Sequence, residues 1–301
     1  MTITPLLSVV IPAHGVAKTL GTTVASVHTA TRESYEIIIV VDGDSDDSLL
    51  VAQQLASESA LIRVVHLVVS GGPSRARNEG LAVATGDWVL FLDGDDRLEL
   101  GALDILLRAV AAGDIGSLGR FNAVDENDAV LDIGTWSTFQ LQPVIVRKGK
   151  LVPSALNPES VLTRLVTPPP GAILLRRSAI IELGGYSKNA RRSEDLEFLV
   201  RVVGYGSVAL TQVPVLRYLR TATQRSAQVR QRQWGRVATL IYVLRSAPSR
   251  KDRRERGRGV VNHYRLTAQS RWRESSRRPG DLVAVGRALV LAAVFSLLRV
   301  I

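Results

Sequence analysis

Three groups of carboxylates in the 301-residue chain have the types and spacing to do chemistry. The tetrad Asp93-Gly94-Asp95-Asp96 ends an apolar run, with acids placed so that two can face one ion. Mg2+ and Mn2+ prefer hard oxygen ligands and are commonly held by one or two carboxylates plus substrate phosphates. The spacing therefore suits a cation bridging to a diphosphate, although a polar turn ahead of a helix has the same composition. Asp42 to Asp47 follows five β-branched residues, Ile37 to Val41, and its acids could accept hydrogen bonds from a nucleobase or ribose. Asp46 or Asp47 would equally serve as a helix N-cap. Glu194-Asp195 lies about a hundred residues beyond the tetrad, on a stretch of helical character. A carboxylate there could take the proton of an acceptor hydroxyl, or could simply complement the helix macrodipole.

The elements that must position these groups can be read from hydrophobic pattern. Leu7 to Ile11, Tyr35 to Val41, Leu61 to Leu67 and Trp88 to Leu92 are nearly continuous in Val, Ile and Leu, as strands covered on both faces must be. Between them Ala17 to Thr29, Ser48 to Ser57 and Pro73 to Ala84 have helical length and composition. The alternation predicts βαβ units feeding a mainly parallel central sheet flanked by helices. Ligands of such sheets gather at the carboxyl ends of the strands, and the first two acidic groups fall there, on one rim. Past Leu107 the periodicity weakens through a stretch containing Trp136, Pro143 and Pro153. It resumes in the apolar run Ala172 to Leu175, a helix over Ser193 to Val203 opened by Ser193, and a strand over Val208 to Tyr218.

Composition removes several classes. With 46% hydrophobic residues the chain can bury a full core, and with no cysteine it can hold neither disulfides nor thiolate-bound zinc. The four histidines show no metal spacing, and no Ser-His-Asp elbow, P-loop lysine or G-x-G-x-x-G occurs. The N-terminus lacks the pattern of a secretory signal, so the expected location is cytoplasmic.

Taken in order, the motifs carry a family resemblance. Ser8-Val9-Val10-Ile11-Pro12, Glu36 to Asp42, Gly71-Gly72-Pro73-Ser74-Arg75-Ala76-Arg77-Asn78-Glu79-Gly80 and Gly86 to Asp96 resemble the family 2 glycosyltransferases of GT-A fold. Pro170 to Ser178, Gly184-Gly185-Tyr186 and Ser193-Glu194-Asp195-Leu196-Glu197-Phe198 look like that family's acceptor-side segment and Glu-Asp motif. The resemblance implies a GT-A nucleotide-diphospho-sugar transferase fold over residues 1–220, with a donor-binding half to about 115 and an acceptor-side half after it. It implies that Pro12, Asp42 and Arg77 line the nucleotide pocket, and that Asp93 and Asp95 form the D-x-D pair, with Asp95 touching Mg2+ or Mn2+. Asp195 would be the general base, supported by Glu194, and transfer from a nucleotide diphosphate sugar, a UDP-sugar first, would invert the anomeric centre. Two departures bear on the nucleotide: His14-Gly15 replaces the usual Tyr-Asn, and Asp42-Gly43-Asp44 replaces Asp-Asp-Gly, which adds Asp44 to the nucleotide-binding candidates. Arg220-Thr221 stands where some relatives carry a histidine.

The net charge of +10 sits in one place. Between Arg217 and Arg278 there are 18 Lys and Arg against three acids, a local surplus of +15 that leaves the rest of the chain at −5. Residues 221–301 therefore read as a basic helical extension ending in an apolar helix, Leu282 to Leu298. No nucleic-acid motif accompanies the charge, which by itself gives only salt-sensitive, non-specific affinity. An anionic membrane surface fits better, each basic residue near it contributing on the order of 1 kcal/mol. The expected protein is peripheral at the cytoplasmic membrane face, with a glycan or lipid-linked acceptor. A nucleotidyltransferase would need a glycine-rich loop after the first strand that is missing here, and a non-catalytic sugar-nucleotide or membrane-binding module of the same fold is the other alternative.

Overall fold

The computed structural model of the chain describes residues 5–43, 45–131, 145–147, 150–152, 168–188, 190 and 194–221, with scattered positions between 240 and 291. By compactness the chain forms two units. The first comprises residues 1–155, 168–188 and 206–228, and the second 156–167, 189–205 and 229–301.

The first unit is built on an eight-stranded sheet. β1 (Leu7–Ala13), β2 (Tyr35–Asp42), β3 (Ile62–Leu67) and β4 (Trp88–Phe91) run parallel, joined by α1 (Leu20–Ala30), α2 (Ser48–Glu58) and α3 (Pro73–Val83). Each lies within a few residues of the stretch its pattern predicts. Beyond them come the two-residue β5 (Arg97–Leu98), α4 (Ala102–Ala109) and the long β6 (Asp114–Val124). Sequence pattern did not announce β6, because Gly116 and Gly119 break its apolar run. Both lie tight against neighbours: a Cβ on Gly116 would fall 2.3 Å from the Leu174 carbonyl oxygen, and one on Gly119 2.5 Å from Val215. A small hairpin, β7 (Ile145–Arg147) with β8 (Lys150–Val152), stands apart as a two-stranded antiparallel sheet.

A 3-10 turn at Pro170–Ala172 then leads into β9 (Ile173–Arg176), α5 (Arg177–Glu182) and, later, β10 (Ser207–Leu219). The strand order is β3-β2-β1-β4-β9-β6-β10-β5. β9 runs antiparallel to both β4 and β6, β10 parallel to β6, and β5 antiparallel to β10. β1, β4, β6 and β10 therefore all end on one rim.

The core explains the continuous apolar runs: Val9 to Ile11, Ile37 to Val41 and Val89 to Leu92 are all buried. α3 lies on this layer through Gly80, whose hypothetical Cβ would sit 2.3 Å from Val10 and 3.0 Å from Val40. At the opposite end of the strands, Glu36 accepts hydrogen bonds from Ser8 Oγ and from the Thr85 amide and hydroxyl, each at 2.7 Å, fixing the start of β2 to the turn before β4.

Of the second unit, the best described element is α6 (Glu194–Tyr205), which buries Leu196, Phe198, Leu199, Val200, Val202 and Val203. Glu197, 1% exposed, is held by Arg201 one turn later through bonds of 2.6 and 2.7 Å. Ser193, expected to open this helix, lies outside the described residues, as do the apolar stretch at 282–298, save an isolated position, and most of the basic extension. Among the described residues no helix is long and apolar enough to cross a membrane.

Candidate active site at the carboxyl rim of the sheet

β1, β2 and β4 deliver Pro12, Asp42 and Asp93 to the same rim. The Asp93-Gly94-Asp95-Asp96 loop is packed there by several independent contacts. Asp96 donates its amide to the Asp93 carbonyl at 3.0 Å, and the Gly94 carbonyl accepts from Thr19 Oγ1 at 2.8 Å and Thr23 Oγ1 at 3.0 Å. A Cβ on Gly94 would lie 3.1 Å from the Pro12 carbonyl oxygen and 2.9 Å from Val16, so glycine lets the loop settle on the end of β1. Pro12 is in this way brought directly beside the D-x-D loop.

Asp42 is 3% exposed and its carboxylate is fully engaged by the protein. One oxygen accepts from the Gly71 amide at 2.8 Å, the other from Ser70 Oγ at 2.9 Å and the Gly72 amide at 2.8 Å. The loop ahead of α3 is thereby tied to the end of β2. Gly72, at φ +81°, turns the chain into Pro73, the first residue of α3, and one turn further Arg77 reaches across to Asp93 with a 2.7 Å bond. Asp42, the Ser70–Gly72 loop, Arg77 and Asp93 thus form one connected path. His14 donates Nδ1–H to the Asp42 carbonyl at 2.6 Å, and Asp44 lies outside the described residues.

Asp95 is half-buried within electrostatic reach of Asp96. Asp96 is completely enclosed, with one oxygen accepting from the Leu219 amide at 3.0 Å and the other unbonded among the described residues. Burial pushes its carboxyl well above the usual range, the charges of Asp95 and Asp93 push the same way, and the Leu219 amide and Arg77 only partly oppose them. Burial likewise drives the Tyr218 phenol up to about 12, with Asp96, Asp93 and Asp95 adding to it. An acid and a phenol, both shifted upward by burial, therefore adjoin the D-x-D pair. Neither was singled out from sequence, although Tyr218 ends a predicted strand on the ligand rim and Asp96 belongs to the quoted tetrad.

The Mg2+ or Mn2+ expected from sequence can be tested against this donor set. Among the described residues no group of three or more His, Cys, Asp or Glu side chains is arranged around one point. Asp95 and Asp93 fit a different mode, one or two carboxylates on the open side of a cation whose remaining ligands are phosphate and water. Glu194 and Asp195 occupy the first turn of α6 in the second unit, both half-buried.

Comparison with known proteins gives the family. The sequence model described as Glycosyl transferase family 2 matches residues 8–184, more than half of the chain. The chain belongs to glycosyl transferase family 2. Among curated relatives of this family 2 transferase, the glycosyltransferase GlyG of Streptococcus pneumoniae is 31% identical over 124 residues, 41% of each chain. The GalNAc(5)-diNAcBac-PP-undecaprenol beta-1,3-glucosyltransferase of Campylobacter jejuni is 34% identical over 110 residues, 36% of each. The matches thus span well under half the length of these relatives. S. aureus TarS 1-349, solved in complex with UDP-GlcNAc, superposes with a TM-score of 0.61 at 16% identity, covering 86% of this chain and 72% of that one. That likeness is one of fold, and it agrees with the GT-A architecture of the first unit.

Proposed function

We propose that this family 2 transferase moves a sugar from a nucleotide diphosphate donor, a UDP-sugar first, to an acceptor hydroxyl with inversion at the anomeric carbon. One observation carries the reading: the path from Asp42 through Gly72 and Arg77 to Asp93, which brings a guanidinium and the D-x-D carboxylates together at the rim where a diphosphate would lie. We assign catalysis to residues 1–220, of which 156–167 and 189–205 belong to the second compact unit, and an accessory role to residues 221–301.

Pro12 and the loop held by Asp42 line the nucleotide pocket, with Asp44 beside them, and Arg77 orients toward the diphosphate. Asp95, assisted by Asp93, would hold Mg2+ or Mn2+, which when bound would offset the charge gathering on the departing nucleoside diphosphate. Asp195, supported by Glu194, takes the proton of the acceptor hydroxyl as its oxygen bonds to the anomeric carbon. The bond to the diphosphate breaks in the same step, its electron pair leaving with the nucleoside diphosphate, so no covalent sugar-enzyme intermediate forms.

A lipid-linked or membrane-assembled glycan is the acceptor class best suited to the basic stretch after Arg217, which anionic headgroups attract. The Campylobacter relative, named for an undecaprenol-linked substrate, supports this choice. Donor turnover tests the whole reading. Slow release of nucleoside diphosphate that depends on Mn2+ or Mg2+ and is lost in Asp95→Ala supports it. Turnover unchanged in that variant, or transfer unchanged in Asp195→Asn, removes the corresponding residue from the mechanism.

A further inference from the structure

Tyr186 is 3% exposed and packs against Arg77, one partner of the Arg77–Asp93 ion pair. The Arg77 guanidinium carbon is 4.9 Å from the centre of its ring, within the range at which a cation is drawn to an aromatic face. Phe91, two residues before Asp93, meets the same ring edge-to-face at 5.3 Å and 88°. The backbone of Tyr186 is fixed with equal care. Asn78, the residue after Arg77, donates Nδ2–H to the Tyr186 carbonyl and accepts the Tyr186 amide on Oδ1, both at 2.8 Å, across 108 residues of sequence. The approach depends on Gly185: at φ +67° it suits glycine, and a Cβ there would fall 2.4 Å from Asn78 Oδ1.

We infer that Tyr186 is a positioning residue for the donor diphosphate, acting through Arg77, with Asn78 as its clamp. A buried guanidinium is costly unless paired, and it serves a phosphate only when its planar fork is aimed correctly. Asp93 holds one edge of Arg77 at 2.7 Å. With its guanidinium carbon over the Tyr186 ring, a turn of the plane about that edge would give up the cation–π contact. Because Asn78 and Arg77 are neighbours on α3, the helix that carries the cation also holds the ring against it.

This inference rests on the proposed donor site, and the test separates the two. Binding of UDP, GDP, CDP and ADP is measured by calorimetry with Mn2+ present, and the tightest is compared with its parent nucleoside. Tyr186→Leu is expected to weaken the nucleoside diphosphate by about 3- to 30-fold, the range a desolvated cation–π contact supplies, and to leave the nucleoside unchanged. Tyr186→Phe, which keeps the ring, should restore binding, and Tyr186→Leu should add nothing in an Arg77→Ala background. KM for the donor should rise in Tyr186→Leu, whereas Leu103→Ala, a buried truncation elsewhere in the unit, should lower the melting temperature with KM unmoved. Unchanged affinity in Tyr186→Leu, or equal losses for nucleoside and diphosphate, overturns the positioning role and leaves the donor site standing. Unchanged binding in Arg77→Ala, or binding of no nucleoside diphosphate by the parent, overturns the donor site and this role with it.

Discussion

Asp96 and Asp42 are both buried carboxylates at the ligand rim, and their surroundings differ. Asp42 accepts three protein donors. Asp96 accepts one, and burial, with the charges of Asp95 and Asp93, pushes its carboxyl well above the usual range. Replacement by asparagine should therefore separate them. In Asp42→Asn one oxygen becomes an NH2 group facing donors, at a cost of about 1–3 kcal/mol measured by urea denaturation, with weaker nucleotide binding as the α3 loop loosens. Asp96→Asn keeps an acceptor for the Leu219 amide. A raised folded-state value means that stability from Asp96 is full at low pH and declines as pH rises, since the unfolded carboxyl ionises first. The metal-free variant should accordingly match the parent in acid and melt higher than it above neutrality. Sequence reasoning singled out Asp42, Arg77, Asp93 and Asp95 as candidates because they lie next to strands or in motifs with a fixed order. It could not assign protonation, which depends on what the fold brings alongside, nor see the part of Asn78, whose partner is 108 residues away.

β1, β2 and β4 were legible because burial on both faces demands unbroken Val and Ile; β3, expected to be covered likewise, is instead an edge strand with Arg63 and His66 exposed. β6 and β9 were harder to read, since β6 depends on glycines chosen for close approach and β9 is only four residues long. α3 shows what such approach is worth. Gly80→Ala would drive a methyl into Val10 and Val40, and should destabilise the fold by about 1–3 kcal/mol in chemical denaturation. Because α3 carries Arg77, donor affinity should fall with it. The Glu36 contact at the far end of β1 and β2 gives a separate prediction. Burial pushes the Glu36 carboxyl up, but hydrogen bonds from Ser8 and Thr85 and the field of Arg63 prevail and hold it below the ordinary glutamate range. Its stabilisation is present above that range and is lost as pH falls through the folded-state value. Glu36→Gln should therefore lower the melting temperature at neutral pH and narrow its difference from the parent in acid.

At the scale of the molecule, charge is divided: the stretch from Arg217 to Arg278 carries +15 and the rest of the chain −5. If that stretch serves a membrane-borne acceptor, flotation with vesicles rich in anionic lipid should recover the whole chain, and less as salt is raised. A chain ending at Ser246 should lose that binding while still releasing nucleoside diphosphate from the donor. No sequence signal fixed the acceptor, because hydroxyl-bearing glycans differ in shape rather than in any group that a short motif could recognise.

The reversed direction of β9 has a consequence for how such an enzyme diversifies. β6 finishes on the rim that bears the D-x-D loop, and β9, running the other way, begins there. The long connection between them leaves and rejoins the sheet on that rim, where β10 also ends. Most of that connection lies outside the strand pairings of the eight-stranded sheet. Grafting the corresponding stretch from another member of the family should retarget the enzyme to a new acceptor while its donor preference stays as it was.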